Sequence, residues 1–152
     1  MANAGDRAPD FSLPGTDGEV RLGDALARGP VLLAFYFEDA TPACSTEIAA
    51  LKDAHDALRE LGASVIAVSA DSVESHRAFA ERLGGLPFPL ASDAELSVTR
   101  TYDAVAEDNP RRSRRALFVI DRNGTIAYGA NPFSPNSLSQ LEEAFRALGM
   151  EL

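Results

Sequence analysis

The chain has 152 residues, of which 45% are hydrophobic and 24% charged, and its formal net charge is -9 at pH 7. This composition is typical of one globular domain, which we expect to cover residues 1–152, and it is too apolar for a disordered chain. The negative charge argues against binding to nucleic acid or to a membrane surface, because both require a basic face.

The single cysteine cannot form an internal disulfide, which argues against a disulfide-stapled secreted protein. The N-terminal residues contain no apolar segment typical of a signal peptide. No apolar run approaches the roughly 20 residues that span a bilayer. We therefore expect a cytoplasmic protein.

The hydropathy pattern of the first half predicts a hairpin, two strands and a helix. Short apolar pieces around a Gly- and Pro-rich turn predict an N-terminal hairpin over residues 8–22. Unbroken apolar runs over 30–37 and 63–69 predict strands covered on both faces. Between them, apolar residues recur at three and four positions over 41–61, which predicts a helix. Its core-facing stripe comprises Ile48, Leu51, Ala54, Leu58 and Leu61.

The next segments predict a parallel crossover. A helix over 73–83 follows the second strand, and strand–helix–strand order favours parallel pairing with a right-handed connection. Residues 86–90 include two prolines, so we expect an edge strand or an extended segment there. Ser92 or Asp93 is then expected to cap a short helix that reaches about Tyr102.

The last third predicts a second hairpin and a final helix. A polar loop over 103–114 precedes strands over 116–121 and 125–130, and Asn123-Gly124 between them is a strong hairpin signal. Ser137 and Gln140 fit a capping box at the start of a helix over 137–148. The whole pattern predicts an α/β domain in which antiparallel strands are added to a parallel pair.

Cys44 is predicted to lie in the first turn of the helix over 41–61. Thr41 suits the N-cap and Pro42 the first helical position. Unpaired N–H groups and the positive helix end favour a thiolate at such a place. A free cysteine is also among the most often buried residue types, where it serves only as a small apolar side chain. The position alone leaves both interpretations open.

The other polar residues give weaker signals. His55 lies three turns further along the same helix and His76 on another one, so neither a Cys-His nucleophile pair nor a metal site is predicted. The arginines at 111, 112, 114 and 115 are interpreted as part of a solvated loop in which only Arg115 is functional. Phe35 and Tyr36 are interpreted as sheet core, with Phe37 a possible exception.

Five segments occur in a characteristic order and spacing along nearly the whole chain. They are Ala8–Phe11 with Leu13, Thr41–Cys44, Val65–Asp71, Phe88–Leu90 with Ser92-Asp93, and Arg115–Asp121. Thr41-Pro-Ala-Cys44 matches the Thr-x-x-Cys half of a Pro-x-x-x-Thr-x-x-Cys signature. Together the segments resemble the peroxiredoxin family, in particular its alkyl hydroperoxide reductase and bacterioferritin-comigratory-like members.

The resemblance implies a thioredoxin-like fold: a central mixed β-sheet flanked by helices, with an N-terminal β-hairpin. It implies that Cys44 attacks a hydroperoxide oxygen and becomes a sulfenic acid. Thr41 would hold the peroxide, and Arg115 would favour the thiolate and stabilise the leaving oxygen. Glu47 resembles the family's acidic or amide partner that orients this arginine. Pro42 supports the site as the first residue of its helix.

Two departures from the family pattern bear on the mechanism. The proline of the signature is replaced by Phe37, which affects peroxide access and preference. The position of a resolving cysteine in related subgroups is Ala49, and no second cysteine exists. The sulfenic acid must therefore be reduced by an external thiol (a thioredoxin-like or glutaredoxin-like protein, or a low-molecular-weight thiol) or pair with Cys44 of a second subunit.

We therefore predict a one-cysteine, thiol-dependent peroxidase that acts on hydrogen peroxide or organic hydroperoxides, needs no cofactor or metal, and forms a homodimer or higher homo-oligomer. The alternative is a thioredoxin-like binding or holdase module with little peroxidase activity. Thioredoxin-type exchange would need a Cys-x-x-Cys pair, which the chain lacks. A relative of the glutathione peroxidases is disfavoured by the absence of tryptophan.

Overall fold

A computed structural model describes residues 3–39, 41–134 and 137–149. The elements, in chain order, are β1 (Ser12–Gly15), β2 (Gly18–Arg21), α1 (Leu22–Leu26), β3 (Val31–Phe35), α2 (Pro42–Glu60), β4 (Ser64–Ser69), α3 (Val73–Arg82), β5 (Leu90–Ser92), α4 (Ser97–Thr101), β6 (Ala116–Ile120), β7 (Ile126–Ala130) and α5 (Leu138–Ala147). The predicted single domain includes termini that lie outside the described residues, and it stays a prediction.

The described strands form one mixed sheet in the order β2-β1-β5-β4-β3-β6-β7. β3 pairs parallel with β4 and antiparallel with β6, so the predicted parallel pair and its antiparallel extension are confirmed. The N-terminal hairpin is β1 with β2, and the hairpin through Asn123-Gly124 is β6 with β7. The α/β fold with a mixed central sheet is therefore as the sequence predicted.

Each face of the sheet carries its own apolar core. Alternate β3 residues Leu32 and Ala34 face one cluster, which also contains buried residues of α2, α3 and α5. The intervening β3 residues Val31, Leu33 and Phe35 face the other cluster, which contains residues of α1 and α4. Because both faces are covered, β3 is fully buried, which explains its unbroken apolar sequence. None of the described helices is both long and apolar enough to cross a membrane.

The helix α2 has the predicted ends. Thr41 is the N-cap in an extended conformation, Pro42 is the first helical residue, and Gly62 follows the C-cap with a φ of +77°. The prediction for Leu61 is wrong: it is 36% exposed, because the helix ends at Glu60 and the chain turns away from the core. The rest of the stripe points inward as expected, with Ile48, Leu51 and Leu58 buried and Ala54 packed against the cluster.

The segment after α3 differs from the prediction. The strand is β5 at residues 90–92, after the prolines, and it lies inside the sheet between β1 and β4. Ser92 belongs to this strand, and the N-cap of α4 is Leu96 in a left-handed conformation with a φ of 61°. Asp93 nevertheless stabilises the start of α4, since its carboxylate accepts hydrogen bonds from the backbone N–H and the hydroxyl of Thr99, both at 2.7 Å.

The capping box of α5 is only half formed. The hydroxyl of Ser137 accepts a hydrogen bond from the backbone N–H of Gln140 at 3.4 Å. The Gln140 side chain does not return the bond to Ser137 but accepts one from the backbone N–H of Ser134 at 2.8 Å. The amide therefore ties the preceding loop to the helix start.

Candidate active site

Cys44 lies in the first turn of α2 with no exposed surface, and it packs in the apolar cluster between α2 and the sheet. The N-terminal N–H groups of a helix lack intrahelical acceptors, and the helix dipole is positive there. A cysteine at this place therefore sees partial positive charge from its own backbone. The sequence predicted this position correctly.

Arg115 supplies a full positive charge to the sulfur. Its Nη1 lies 3.7 Å from Cys44 Sγ and donates a hydrogen bond to it. The antiparallel register that pairs Phe35 with Ala116 brings the residue before β6 to the sheet edge where β3 ends and the chain leads into α2. The backbone carbonyl of Arg115 is held by the N–H of Phe133 at 2.7 Å. The structure thus brings together two predicted site residues that are 71 positions apart.

Glu47 lies one helical turn beyond Cys44 and is 3% exposed. Neither of its carboxyl oxygens has a hydrogen-bond partner among the described residues. Burial raises the pKa of Glu47 to about 8, and the attraction of Arg115 offsets only part of that rise. At neutral pH the group is therefore mostly a neutral carboxylic acid.

The remaining predicted residues surround the helix start. The hydroxyl of Thr41 donates to the carbonyl oxygen of Glu38 at 3.1 Å, so the side chain of this N-cap residue makes no capping hydrogen bond, although its oxygen can still accept one. Pro42 is exposed. Phe37 is half-buried and packs against the apolar cluster that contains Cys44.

A buried polar network supports the loop between β3 and α2. The Tyr36 hydroxyl donates to Asp39 Oδ1 at 2.6 Å, and burial together with the Asp39 carboxylate holds the pKa of Tyr36 well above its ordinary value. His76 Nδ1 lies 2.8 Å from Asp39 Oδ2, and Ser75 donates to the same oxygen at 2.7 Å. One sequence signal could have indicated this network: His76 shares the helical spacing of the buried Phe79.

The loop before β6 is less solvated than predicted, because Arg112 is part of the same support. Its Nη1 donates to Asp71 Oδ1 at 2.6 Å, and its Nη2 lies 3.6 Å from Glu38 Oε2. Asp71 in turn accepts from the backbone N–H of Asp39 at 2.9 Å. The interpretation that only Arg115 matters in this arginine cluster therefore misses a residue that fixes the loop before the cysteine.

Asp39, Asp71 and His76 also offer ligand atoms within 4.8 Å of one another, a spacing compatible with a metal ion. Each side chain already makes hydrogen bonds within the protein, including a contact of 3.0 Å between His76 Nε2 and the carbonyl oxygen of Ala91. The cluster thus has the geometry of a satisfied polar network.

A cavity of about 680 Å³ lies at the far end of α2, between β2, α1 and the start of β4, with His55 and Arg59 in its wall. None of the predicted site residues lines it. This cavity therefore lies apart from the Cys44 thiol, which has no exposed surface.

Comparison with known proteins agrees with the fold. Residues 4–129 match the AhpC/TSA family. The chain is 36% identical to the 2-cysteine peroxiredoxin of Chattonella marina, over 95% of this chain and 77% of that protein. It is 34% identical to the putative peroxiredoxin bcp of Coxiella burnetii, over 81% of this chain and 84% of that protein.

Among solved structures, the peroxidoxin BcpB of Mycobacterium tuberculosis is similar, with a TM-score of 0.88, 29% identity and coverage of 98% of this chain and 97% of that one. The sequence thus matches peroxiredoxins over most of the chain, and the backbone matches the BcpB peroxidoxin over almost the full length of both chains. The chain belongs to the AhpC/TSA family and is a peroxiredoxin, a thiol-dependent peroxidase with a single cysteine.

Proposed function

We propose that Cys44 is the nucleophile that reduces hydrogen peroxide or organic hydroperoxides. The observation that carries this proposal is the 3.7 Å contact between Arg115 Nη1 and Cys44 Sγ at a helix N-terminus. A guanidinium and a helix start together favour the thiolate, which is the reactive form of cysteine. The same charge lies where negative charge develops on the leaving oxygen.

The neighbouring residues have assigned roles in this proposal. The Thr41 oxygen accepts a hydrogen bond from the incoming peroxide, while the Thr41 hydroxyl continues to donate its own hydrogen bond to the carbonyl oxygen of Glu38. Pro42 sets the first turn of α2, since its fixed φ suits that position. Phe37 controls access, because it is half-buried against the cluster around a thiol that has no exposed surface. Glu47, like Arg115, acts on the reaction centre formed by the Cys44 sulfur and the incoming peroxide.

Turnover follows a one-cysteine course. Attack leaves a sulfenic acid on Cys44, and the chain holds no second cysteine to resolve it. An external thiol attacks the sulfenic sulfur, releases water and forms a mixed disulfide, which a second thiol then reduces. The reductant is a thioredoxin-like or glutaredoxin-like protein or a low-molecular-weight thiol. The protein acts as a homodimer or higher homo-oligomer in the cytoplasm. The alternative function, a binding or holdase module, is disfavoured because the similar proteins are named peroxiredoxins.

Consumption of hydrogen peroxide with a supplied dithiol tests the proposal, with Cys44→Ser as the comparison. We expect Cys44→Ser to lose all activity above the uncatalysed rate, and mass spectrometry after one equivalent of peroxide to show one added oxygen on Cys44 in the wild type. Equal peroxide consumption by the two proteins, or no oxygen adduct, would overturn it. Ser45→Ala, which changes the next residue and leaves the thiol, is the matched control.

A further inference from the structure

Glu47 is a buried acid one helical turn from the reactive cysteine, without a hydrogen-bond partner among the described residues. It is 3% exposed, and neither carboxyl oxygen is hydrogen-bonded within the described residues. A buried polar group without a partner destabilises the fold. Because Glu47 destabilises the fold at this position, we infer that it has a role other than folding.

Three groups converge on one point of the structure. Cys44 and Glu47 are three residues apart on α2, and side chains at this spacing are neighbours on a helix surface. Arg115 lies beside both: its Nη1 donates to Cys44 Sγ, and its charge acts on the Glu47 carboxyl. Arg115 makes its hydrogen bond to the sulfur and none to Glu47.

The protonation state of Glu47 fits this arrangement. Because burial raises its pKa to about 8, the carboxyl carries a proton at neutral pH. When Glu47 is neutral, the positive charge of Arg115 stabilises the Cys44 thiolate alone. An ionised Glu47 would compete with the thiolate for the same guanidinium. A carboxylic acid whose pKa is near the working pH is also suited to general acid catalysis.

We propose that the carboxylic acid of Glu47 donates the proton that the leaving oxygen takes up when Cys44 attacks a hydroperoxide. This inference rests on the proposed function of Cys44. It assigns Glu47 a chemical step in addition to the orientation of Arg115 that the sequence resemblance implies.

The thiolate sulfur forms a bond to the terminal peroxide oxygen, which keeps its hydrogen, and the O–O bond breaks. The sulfur is oxidised by two electrons, and the electron pair of the broken bond goes to the leaving oxygen. That oxygen takes the proton of Glu47 and departs as an alcohol, or as water when the substrate is hydrogen peroxide. Glu47 becomes a carboxylate and regains its proton from the Cys44 thiol once external thiols have reduced the enzyme.

The test compares two oxidants on Glu47→Gln, which keeps the shape of the side chain but has no acidic proton. The leaving oxygen of hydrogen peroxide must be protonated as the O–O bond breaks. The leaving group of peracetic acid is acetate, which is stable as an anion and needs no proton. Single-turnover oxidation of Cys44 is followed by quenching and mass spectrometry. We expect the variant to slow the reaction with hydrogen peroxide by about 10²–10⁴-fold and to leave that with peracetic acid within a few-fold of wild type.

Glu60→Gln, at the exposed end of the same helix, is the matched control and should alter neither rate. Equal slowing with both oxidants, or no slowing with either, would overturn the role of Glu47 while the proposed function stands. Failure of the wild type to react with both oxidants would instead overturn the proposed function.

A second measurement needs no variant, in case Glu47→Gln does not fold. Wild-type rates are measured with alkyl hydroperoxides whose leaving alcohols differ in acidity. A proton donated in the transition state gives a shallow dependence of rate on leaving-group acidity, because little charge accumulates on the leaving oxygen. A steep dependence, comparable with that of a small thiolate in solution, would overturn the inference.

Discussion

His76 and Asp39 form a buried pair that joins α3 to the loop before α2: Nδ1 lies 2.8 Å from Oδ2, and the side chains are 0% and 4% exposed. The other ring nitrogen lies 3.0 Å from the carbonyl oxygen of Ala91. Both ring nitrogens thus lie within hydrogen-bond distance of an oxygen atom. His76 therefore ties α3 both to the loop before α2 and to β5, which contains Ala91.

Replacement of His76 by Phe should destabilise the protein strongly. The aromatic ring fills the space, but Asp39 and the carbonyl oxygen of Ala91 lose their contacts with the ring nitrogens, and a buried polar group left without a partner typically costs about 1–3 kcal/mol. Urea unfolding at pH 7 measures the free energy of unfolding. His55→Phe, at the less buried histidine on α2, is the matched control and should change it by far less. Equal unfolding midpoints for the two variants would contradict a stabilising role for the buried His76 contacts.

The contact between Arg112 and Asp71 should make the protein sensitive to acid. Burial acts to raise the pKa of Asp71, but hydrogen bonds from Ser69 and Arg112 outweigh it, so the pKa is lowered on folding. A carboxyl group with a lowered folded-state pKa stabilises the protein above its unfolded pKa of about 3.9. That stabilisation is lost as pH falls through the folded-state value.

Asp71→Asn should therefore be less stable than wild type at pH 6, and the difference should shrink as the pH is lowered below about 4. Thermal unfolding in a pH series measures this. Asp53→Asn, at an exposed position on α2, serves as the control. A difference between Asp71→Asn and wild type that does not change with pH would show that the ion pair is not responsible.

Glu47 should have the opposite effect of pH on stability. Its pKa is about 8 in the folded protein, above the unfolded value of about 4.3. The folded state therefore holds a proton that the unfolded state releases, so its contribution is complete below about pH 4 and is lost progressively up to about pH 8. The free energy of unfolding of wild type relative to Glu47→Gln should fall across this range, with a slope that approaches about 1.4 kcal/mol per pH unit.

Guanidinium unfolding of both proteins between pH 4 and 9 provides the measurement. The comparison of wild type with one isosteric variant removes the contributions of all other titrating groups that behave alike in both. Parallel stability curves for the two proteins would mean that Glu47 is ionised in the folded state.

Much of the fold was predictable because short-range patterns determine it. The unbroken apolar run at Val31–Phe35 requires a strand covered on both faces, and the Thr41-Pro42 pair with Gly62 marks the ends of α2. The place of Cys44 in the first turn follows from those signals alone. The position of Arg115 was implied by the family resemblance, and the antiparallel register of β3 and β6 provides its physical reason.

The rest depends on contacts between distant parts of the chain. β5 has 3 residues, and its place between β1 and β4 is decided by where the chain returns to the sheet, which its proline-rich sequence does not indicate. The contact between His76 and Asp39 was not predicted, because the two residues are 37 positions apart. Arg112 looked like a solvated residue because only folding brings Asp71 to it. In each case a polar side chain is buried because a distant partner satisfies it.

Phe37 should limit the size of peroxide that reaches Cys44. The thiol has no exposed surface, and Phe37 is a half-buried aromatic residue that packs against the same cluster, at the position where the family signature has proline. Phe37→Ala removes the ring and should raise the oxidation rate of Cys44 by cumene hydroperoxide roughly tenfold, which corresponds to about 1.4 kcal/mol of activation free energy. The rate with hydrogen peroxide should change much less, since that molecule needs a smaller opening.

Leu61→Ala, at the exposed far end of α2, controls for general loosening of the helix. An equal acceleration with both peroxides would indicate that Phe37 governs the reactivity of the thiol and not its access.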